Sequence, residues 1–197
     1  MHLAEYLNQA LKIKGSEFRF PCFFVGGKTM FQKFYPHKTS ANVFELDKDF
    51  YSNNNIKAVI FDIDNTLVTH DTKEPPKEIL DYFKFLEDMG IKIAIASNNH
   101  RERVETFSKK LGYTYIWRAW KPFKKNLKRL KKEFDVLPNE ICLVGDQIFT
   151  DIYGGLRMGF YTVLVTAVGK SETKFVAFKR IFENLVMKEY AKNHTKK

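Results

Sequence analysis

Short apolar runs alternate with amphipathic segments from about residue 56 to residue 168. The runs have the length of buried strands, and the segments between them repeat their apolar residues at the helical period. Strands are predicted at IKAVIFDID, IKIAIAS, Tyr115–Ala119, EICLVGD and YTVLVTAV, and helices at Lys77–Met89, at His100–Leu111, from Pro122 onward and around Thr150–Met158. Strands that alternate with helices form right-handed crossovers, so the predicted fold is α/β, a Rossmann-like parallel sheet with helices on both faces.

The two ends of the chain do not follow this alternation. Residues 1–36 are rich in phenylalanine and basic residues, and we interpret them as an aromatic, basic extension of a core at 37–170. Residues 171–197 have the pattern of a basic amphipathic helix and tail, with an apolar stripe of Phe178, Ile181, Phe182 and Leu185. The aromatic residues of the extension fit two roles equally well: contact with a membrane surface, or cover for an exposed sheet edge.

Composition excludes several classes of protein. The chain is 44% apolar and 15% aromatic, yet no apolar run approaches the ~18 residues of a membrane span. The N-terminus lacks the basic and then apolar order of a signal peptide, so we expect a cytoplasmic protein. Cys22 and Cys142 do not have a spacing typical of zinc ligands, and we expect both to be reduced and structural.

A formal net charge of +10 favours anionic partners of any kind. Nucleic acid, an anionic membrane surface and a phosphorylated substrate all qualify. The segment KPFKKNLKRLKK has seven cations from Lys121 to Lys132 and no acid. This helix face is either simply solvated or rests on an anionic leaflet, in which case the protein is peripheral at the inner face of the membrane.

Acidic and hydroxyl side chains follow three of the predicted strands. Asp62 and Asp64 point the same way in an extended segment, whereas Ile63 points back into the core. Charges at the end of a buried strand need neutralisation, and a divalent metal is the usual neutraliser. Ser97 and Asp146 end two other strands, and ligands bind at the carboxyl ends of strands in open α/β sheets. These strand ends therefore predict one shared crevice.

Four motifs in one order resemble those of the haloacid dehalogenase (HAD) superfamily of phosphatases: DIDNT, SNN, Lys121-Pro122 and GDQIFTD. The motif sequences DNTLV, SNN, KP and GDQxxTDxxGG are similar to those of the YqeG-type branch. That branch includes phosphatidylglycerophosphate phosphatases. The resemblance covers about residues 56 to 168 and extends more loosely into both flanks. It implies a HAD-type phosphatase core and a Mg²⁺ cofactor.

The resemblance and the chemistry of the residues imply a role for each polar group of the first motif. Asp62 is expected to attack phosphorus and form a phosphoaspartate, and Asp64 to protonate the leaving oxygen and then deprotonate water. Thr66 is expected to hold the two aspartates in register. Asp62, the main-chain carbonyl of Asp64, and Asp146 are the expected ligands of Mg²⁺.

The other motifs supply phosphate-binding and supporting groups. Ser97 and the main chain at Asn98 are expected to donate to the phosphoryl oxygens, and Lys121 to add a positive charge against them. Asp151 is expected beside Asp146, acting through water or hydrogen bonds to the metal ligands.

The spacing of the motifs indicates an open site. The 35 positions from Asp62 to Ser97 and the 24 from Ser97 to Lys121 leave no room for a cap domain. We expect only a loop near His70, Asp71 and Pro75-Pro76 to guard the cleft. An uncapped cleft suits a substrate that is large or is presented by a surface, such as the phosphate of a lipid headgroup.

Three functions compete on these observations. The first is a Mg²⁺-dependent phosphomonoester hydrolase that converts phosphatidylglycerophosphate to phosphatidylglycerol in phospholipid biosynthesis. The second is the same chemistry on a soluble nucleotide, a sugar phosphate or a nucleic-acid end. The third is a basic protein that binds RNA without catalysis, which has no need for both Asp62 and Asp64. We expect a phosphorylated headgroup and an anionic membrane as partners, and we do not expect nucleic acid.

Overall fold

The computed structural model describes residues 24–25, 28–169, 183–191 and 193, with side chains from residue 31 onward. The chain divides into two compact units, Met1–Met30 and Phe31–Lys197. In the first unit, strands β1 (Phe24–Val25) and β2 (Lys28–Thr29) form an antiparallel pair. Most of the predicted extension, together with Cys22, lies outside the described residues. The predicted division at residues 36 and 170 therefore stays a prediction.

The second unit contains six parallel strands and the helices between them. The strands are β3 (Lys38–Ser40), β4 (Ala58–Phe61), β5 (Lys92–Ala96), β6 (Thr114–Ile116), β7 (Ile141–Gly145) and β8 (Tyr161–Val165). The helices are α1 (Lys48–Asn53), α2 (Lys77–Asp88), α3 (Arg101–Ser108), α4 (Lys124–Phe134), α5 (Tyr153–Met158) and α6 (183–191). Single 3₁₀ turns occur at Met30–Phe34, Val43–Glu45 and Pro138–Glu140, and a π-helical turn at Ile148–Ile152 precedes α5.

The strand order is β3-β8-β7-β4-β5-β6, and every neighbouring pair is parallel. The predicted α/β fold with a Rossmann-like parallel sheet is confirmed. Strand β4 lies between β5 and β7, and the main-chain N–H of Asp62 continues this ladder to the Val144 carbonyl at 3.0 Å. The end of β4 is therefore held in the middle of the sheet.

Alternate residues of the central strands enter two different hydrophobic clusters. Val59 and Phe61 pack on the face covered by α1, α2 and α3. Ala58 and Ile60 pack on the opposite face, against Leu127, Leu130 and Phe134 of α4. Both faces of the sheet are buried, which is why its strands are continuous apolar runs in the sequence.

Some element boundaries differ from the prediction. Helix α4 begins at Lys124 rather than Pro122, because its N-cap Phe123 has an extended backbone. Strand β3 was not predicted. It is only three residues long and lies at the sheet edge, where the imidazole Nδ1 of His37 lies 3.0 Å from the Thr162 hydroxyl. Cys142 is buried and free, as predicted.

The C-terminal helix α6 buries residues that the predicted apolar stripe does not include. Three residues of the predicted stripe lie outside the described residues, and Leu185 is half-buried. Glu183 and Val186 are buried instead, and the Glu183 carboxylate accepts a hydrogen bond from the Ile148 N–H at 2.8 Å. Across the described residues, we find no helix of the length and apolarity needed to cross a bilayer.

Residues 62–121 are described without a gap, and they contain no inserted domain. Between Asp62 and Ser97 the chain forms a loop, helix α2 and strand β5. Between Ser97 and Lys121 it forms only α3, β6 and a second loop. These two intervals therefore do not form a cap domain over the carboxyl ends of β4 and β5.

Candidate active site

Polar side chains from four segments meet at the carboxyl edge of the sheet. Asp62 directly follows β4, and Ser97 directly follows β5. Asp146 follows β7, and Asp151 lies in the π-helical turn after it. Lys121 comes from the loop between β6 and α4, and its ammonium joins two of these acids.

Lys121 forms a buried ion-pair bridge. Its Nζ lies 2.8 Å from Asp62 Oδ1 and 2.5 Å from Asp151 Oδ1. The three residues are between 1% and 7% exposed, so water screens these charges little. Burial alone would lower the pKa of Lys121, but the charges of Asp151 and Asp62 outweigh it and raise that pKa. The lysine is therefore held in its charged form at the centre of the site.

Three buried carboxylates lie close together beside Lys121. Carboxylate oxygens of Asp62, Asp146 and Asp151 all lie within 4.8 Å of one another. Burial raises the pKa of Asp62 to about 7, with the negative charge of Asp151 acting in the same direction and Lys121 opposing both. Hard oxygen ligands gathered in this way fit a divalent cation such as Mg²⁺. Asp151, predicted to act through other ligands, offers a ligand atom itself.

Asp64 is held by two side chains that the sequence analysis did not assign. Arg103 Nε and Nη2 donate to Asp64 Oδ1 at 3.1 and 2.9 Å, and Asn99 Nδ2 donates to Oδ2 at 2.9 Å. The Arg103 side chain is 8% exposed and that of Asp64 is 15% exposed. A sequence signal for Arg103 existed: a cation in the first turn of a helix opposes the helix dipole and needs a partner.

The SNN motif fixes the loop that contains Lys121. The Asn98 side-chain amide donates to the Lys121 carbonyl at 2.9 Å and accepts from the Lys121 N–H at 2.8 Å. Ser97 is 2% exposed, and its hydroxyl accepts from the Asn99 N–H at 3.1 Å. The sequence analysis expected a role for the Asn98 main chain, and the role of its side chain was missed.

Thr66 connects the first motif to the fourth. Its hydroxyl makes a long hydrogen bond, 3.5 Å, to Asp146 Oδ1, and its N–H donates to the Ile63 carbonyl at 3.2 Å. Thr66 therefore contacts Asp146 as well as the turn after β4, and its predicted role of holding Asp62 and Asp64 in register stays a prediction. His70 lies at the rim, with Nε2 3.4 Å from Asn99 Nδ2.

Gly145 makes room for the Asp151 carboxylate. A Cβ at position 145 would lie 2.3 Å from Asp151 Cγ and 2.6 Å from its Oδ2. We expect Gly145→Ala to lower the free energy of unfolding by about 1–3 kcal/mol, because the acid must move. Mg²⁺ affinity, measured by calorimetry, is expected to fall about 10- to 100-fold.

A double-mutant cycle tests this explanation. In an Asp151→Ala background the added methyl group has no carboxylate to meet, so the stability penalty of Gly145→Ala should shrink. Chemical denaturation of the four proteins measures that penalty in each background. An equal penalty in both backgrounds contradicts the explanation.

Comparison with known proteins identifies the family. The family described as mitochondrial PGP phosphatase matches residues 29–168. The probable phosphatase YqeG of Bacillus subtilis (strain 168) is 33% identical over 159 residues, which are 80% of this chain and 92% of that protein. Phosphatidylglycerophosphate phosphatase 1, chloroplastic/mitochondrial, of Arabidopsis thaliana is 26% identical over 152 residues. That match spans 72% of this chain and 43% of the plant protein.

Among the solved structures that the chain matches is the cobalt-bound form of the deoxy-D-mannose-octulosonate 8-phosphate phosphatase of Haemophilus influenzae. It has a TM-score of 0.46 and 19% identity, and the match covers 68% of this chain and 89% of that chain.

The family match covers more than half of the chain, and the bacterial relative is matched over nearly its whole length. The carboxylates and the lysine of this chain's motifs lie together at the carboxyl edge of the sheet. The chain therefore belongs to the mitochondrial PGP phosphatase family of HAD-type enzymes and is a phosphoric monoester hydrolase of the YqeG type.

Proposed function

We propose that this enzyme removes the terminal phosphate of phosphatidylglycerophosphate, with Asp62 as the nucleophile. The observation that most supports this role for Asp62 is its buried pairing with Lys121 at the end of the central strand. The family match and the uncapped site support the choice of a lipid headgroup. The product, phosphatidylglycerol, places the enzyme in phospholipid biosynthesis.

Asp62 suits covalent catalysis by its position. The residue is 7% exposed and its carboxylate is fixed by Lys121 and the sheet, so the attacking oxygen is preorganised. An oxygen of Asp62 forms a bond to phosphorus, and the bond from phosphorus to the headgroup oxygen breaks. Water then attacks the phosphoaspartate, which releases phosphate and restores the carboxylate.

Asp64 is the proposed acid and base of these two steps. It delivers a proton to the departing headgroup oxygen and later takes one from the attacking water. Arg103 and Asn99 contact both of its carboxylate oxygens, which fixes the position from which the proton moves. We assign Arg103 as a positioning residue, since its contact is with Asp64 and not with the reacting atoms.

Ser97, the main chain at Asn98, and Lys121 are the proposed ligands of the phosphoryl oxygens. Lys121 is the strongest of these because the residue is 4% exposed, and a buried charge stabilises developing negative charge better than an exposed one. The Asn98 side chain keeps Lys121 in place through two hydrogen bonds. The phosphate group is thereby positioned next to Asp62.

Asp62, Asp146 and Asp151 would hold Mg²⁺, together with the main-chain carbonyl of Asp64. When bound, the ion lessens the repulsion between the Asp62 carboxylate and the phosphate dianion. The three carboxylates equally accept Mn²⁺, because both ions prefer oxygen ligands. The buried negative charge of this site is what supports a divalent cation.

Phosphate release from phosphatidylglycerophosphate in mixed micelles tests the substrate. We expect kcat/KM for the micellar lipid to exceed that for p-nitrophenyl phosphate by at least about tenfold, since remote parts of the substrate add binding energy. EDTA should abolish both activities, and added Mg²⁺ should restore them. A preference for soluble sugar phosphates or nucleotides over the lipid would overturn the assignment and leave only the phosphatase chemistry.

A further inference from the structure

Three large aromatic side chains are exposed in the loop between β6 and α4. Trp117, Trp120 and Phe123 are 38%, 63% and 64% exposed, whereas most of the large apolar side chains among the described residues are buried. We name residues 117–123 the aromatic loop. Lys121 lies within this loop and is itself buried in the active site. The exposed aromatic groups therefore surround the segment that supplies a phosphate-binding cation.

The aromatic loop is fixed to the site by its main chain. The Arg118 N–H donates to the Asn99 carbonyl, and the Ala119 N–H donates to the Ser97 carbonyl, both at 2.9 Å. Trp120 has a φ of 56°, in the left-handed region that bulky residues rarely adopt. The loop therefore keeps a strained tryptophan exposed while its backbone remains anchored to the SNN motif.

The surroundings of the aromatic loop are cationic. The guanidinium groups of Arg101 and Arg118 lie 6.0 and 5.9 Å from the centroid of the Trp117 ring. Six further cations follow in α4 without an acid before Glu133: Lys124, Lys125, Lys128, Arg129, Lys131 and Lys132. Leu127 and Leu130 of the same helix are buried, so the helix presents its basic side to solvent.

Exposed aromatic residues next to a run of cations have the composition of a membrane-interface segment. Tryptophan prefers the headgroup region because its ring is amphipathic, and each nearby Lys or Arg adds about 1 kcal/mol on an anionic surface. A protein partner would have to be strongly acidic to match this surface. An anionic bilayer supplies the negative charge and the apolar layer together.

We propose that the aromatic loop docks the enzyme on an anionic lipid bilayer, with Trp120 and Phe123 entering the headgroup boundary. Docking at this loop brings Lys121 and the open site to the level of lipid phosphates. The inference rests on the proposed action on a lipid headgroup. It adds the surface through which that substrate is reached.

The fluorescence of the protein reports this contact without any mutation. The chain has two tryptophans, and both lie in the aromatic loop. Vesicles of phosphatidylcholine and phosphatidylglycerol with brominated acyl chains are expected to quench the emission and shift it to shorter wavelength. Pure phosphatidylcholine vesicles should do neither at low salt. Vesicle co-sedimentation without any change in the emission would overturn the proposal, because another surface would then dock.

A matched pair of variants tests the loop by its effect on partition. Trp120→Ala combined with Phe123→Ala should lower the partition constant on anionic vesicles by about tenfold or more, because two exposed aromatic groups are lost. The control is Leu137→Ala, which removes a side chain that is 62% exposed. Leu137 precedes the turn that leads into β7, so it lies at the amino-terminal end of the strands, opposite the active site. The control should bind as the wild type does. Equal binding by the double variant overturns the proposal.

Two further measurements separate this inference from the proposed function. The double variant should hydrolyse p-nitrophenyl phosphate at the wild-type rate while its turnover of lipid in vesicles falls. Equal loss on both substrates contradicts docking and points to damage of the site. Acrylamide should quench the tryptophans of the lipid-free protein. Shielded tryptophans in that state would show that another part of the chain or a second copy covers the loop, which overturns the proposal.

Discussion

Asp62→Asn is expected to lower the turnover of every phosphomonoester by about 10⁴-fold or more, the usual scale for loss of a nucleophile. The amide cannot form the phosphoaspartate, whereas the other groups of the site remain. The substitution should not lower the free energy of unfolding at pH 7, because burial already raises the pKa of Asp62 to about 7 and the neutral amide avoids that penalty. Steady-state kinetics and thermal denaturation measure the two effects.

The matched control is Asp135→Asn, which removes the same charge from an exposed position directly after α4. The φ of 51° at position 135 suits asparagine. The turnover of the Asp135→Asn protein should equal that of the wild type. Residual activity of Asp62→Asn within about a hundredfold of the wild type would rule out nucleophilic attack by this residue, since removing a nucleophile costs far more.

Arg103→Met is expected to make catalysis depend more steeply on the leaving group. The arginine places two donors on Asp64 Oδ1, and methionine keeps the volume without them. With Asp64 misplaced, kcat/KM for alkyl phosphates should fall about 10²-fold, the lower end of the usual contribution of general acid catalysis. For p-nitrophenyl phosphate the loss should be smaller, because nitrophenolate leaves without a proton. A series of soluble esters measures this dependence.

Arg101→Met is the control on the same helix. The Arg101 side chain is 68% exposed and paired with Glu105, so its loss should not change the rates with soluble esters. A purely structural role for Arg103 predicts a different pattern, in which all esters lose the same factor. That pattern, with or without a lower melting temperature, would contradict the assignment of Arg103 as a positioning residue.

The sheet and the first acids were predictable because they follow from local sequence. An apolar run that ends in DIDNT identifies both the strand and the two carboxylates, since alternate residues in a strand share a face. Parallel pairing then brings Asp62, Ser97 and Asp146 to one edge without further information. The interval lengths also predicted that no domain is inserted between the first three motifs.

The missed features depend on contacts between distant segments. Asn99 and Asp64 are 35 positions apart, and neither residue has a local pattern that indicates the other. Strand β3 is defined by its pairing with β8, more than a hundred positions away. The close approach of Asp151 to Asp62 depends on Lys121, which binds both, and on the small size of Gly145. Exposure of Trp120 and Phe123 is likewise a tertiary property.

Mapping the phosphoenzyme is the most direct test of the account. The wild-type protein is mixed with ³²P-labelled phosphatidylglycerophosphate in micelles with Mg²⁺ and quenched in acid at successive times. Borohydride then reduces the acyl phosphate, and mass spectrometry locates the reduced residue. We expect a transient label on Asp62 that forms and decays at least as fast as phosphate is released. Phosphate release without a label on Asp62 at any time, or with a label on another residue, would contradict it.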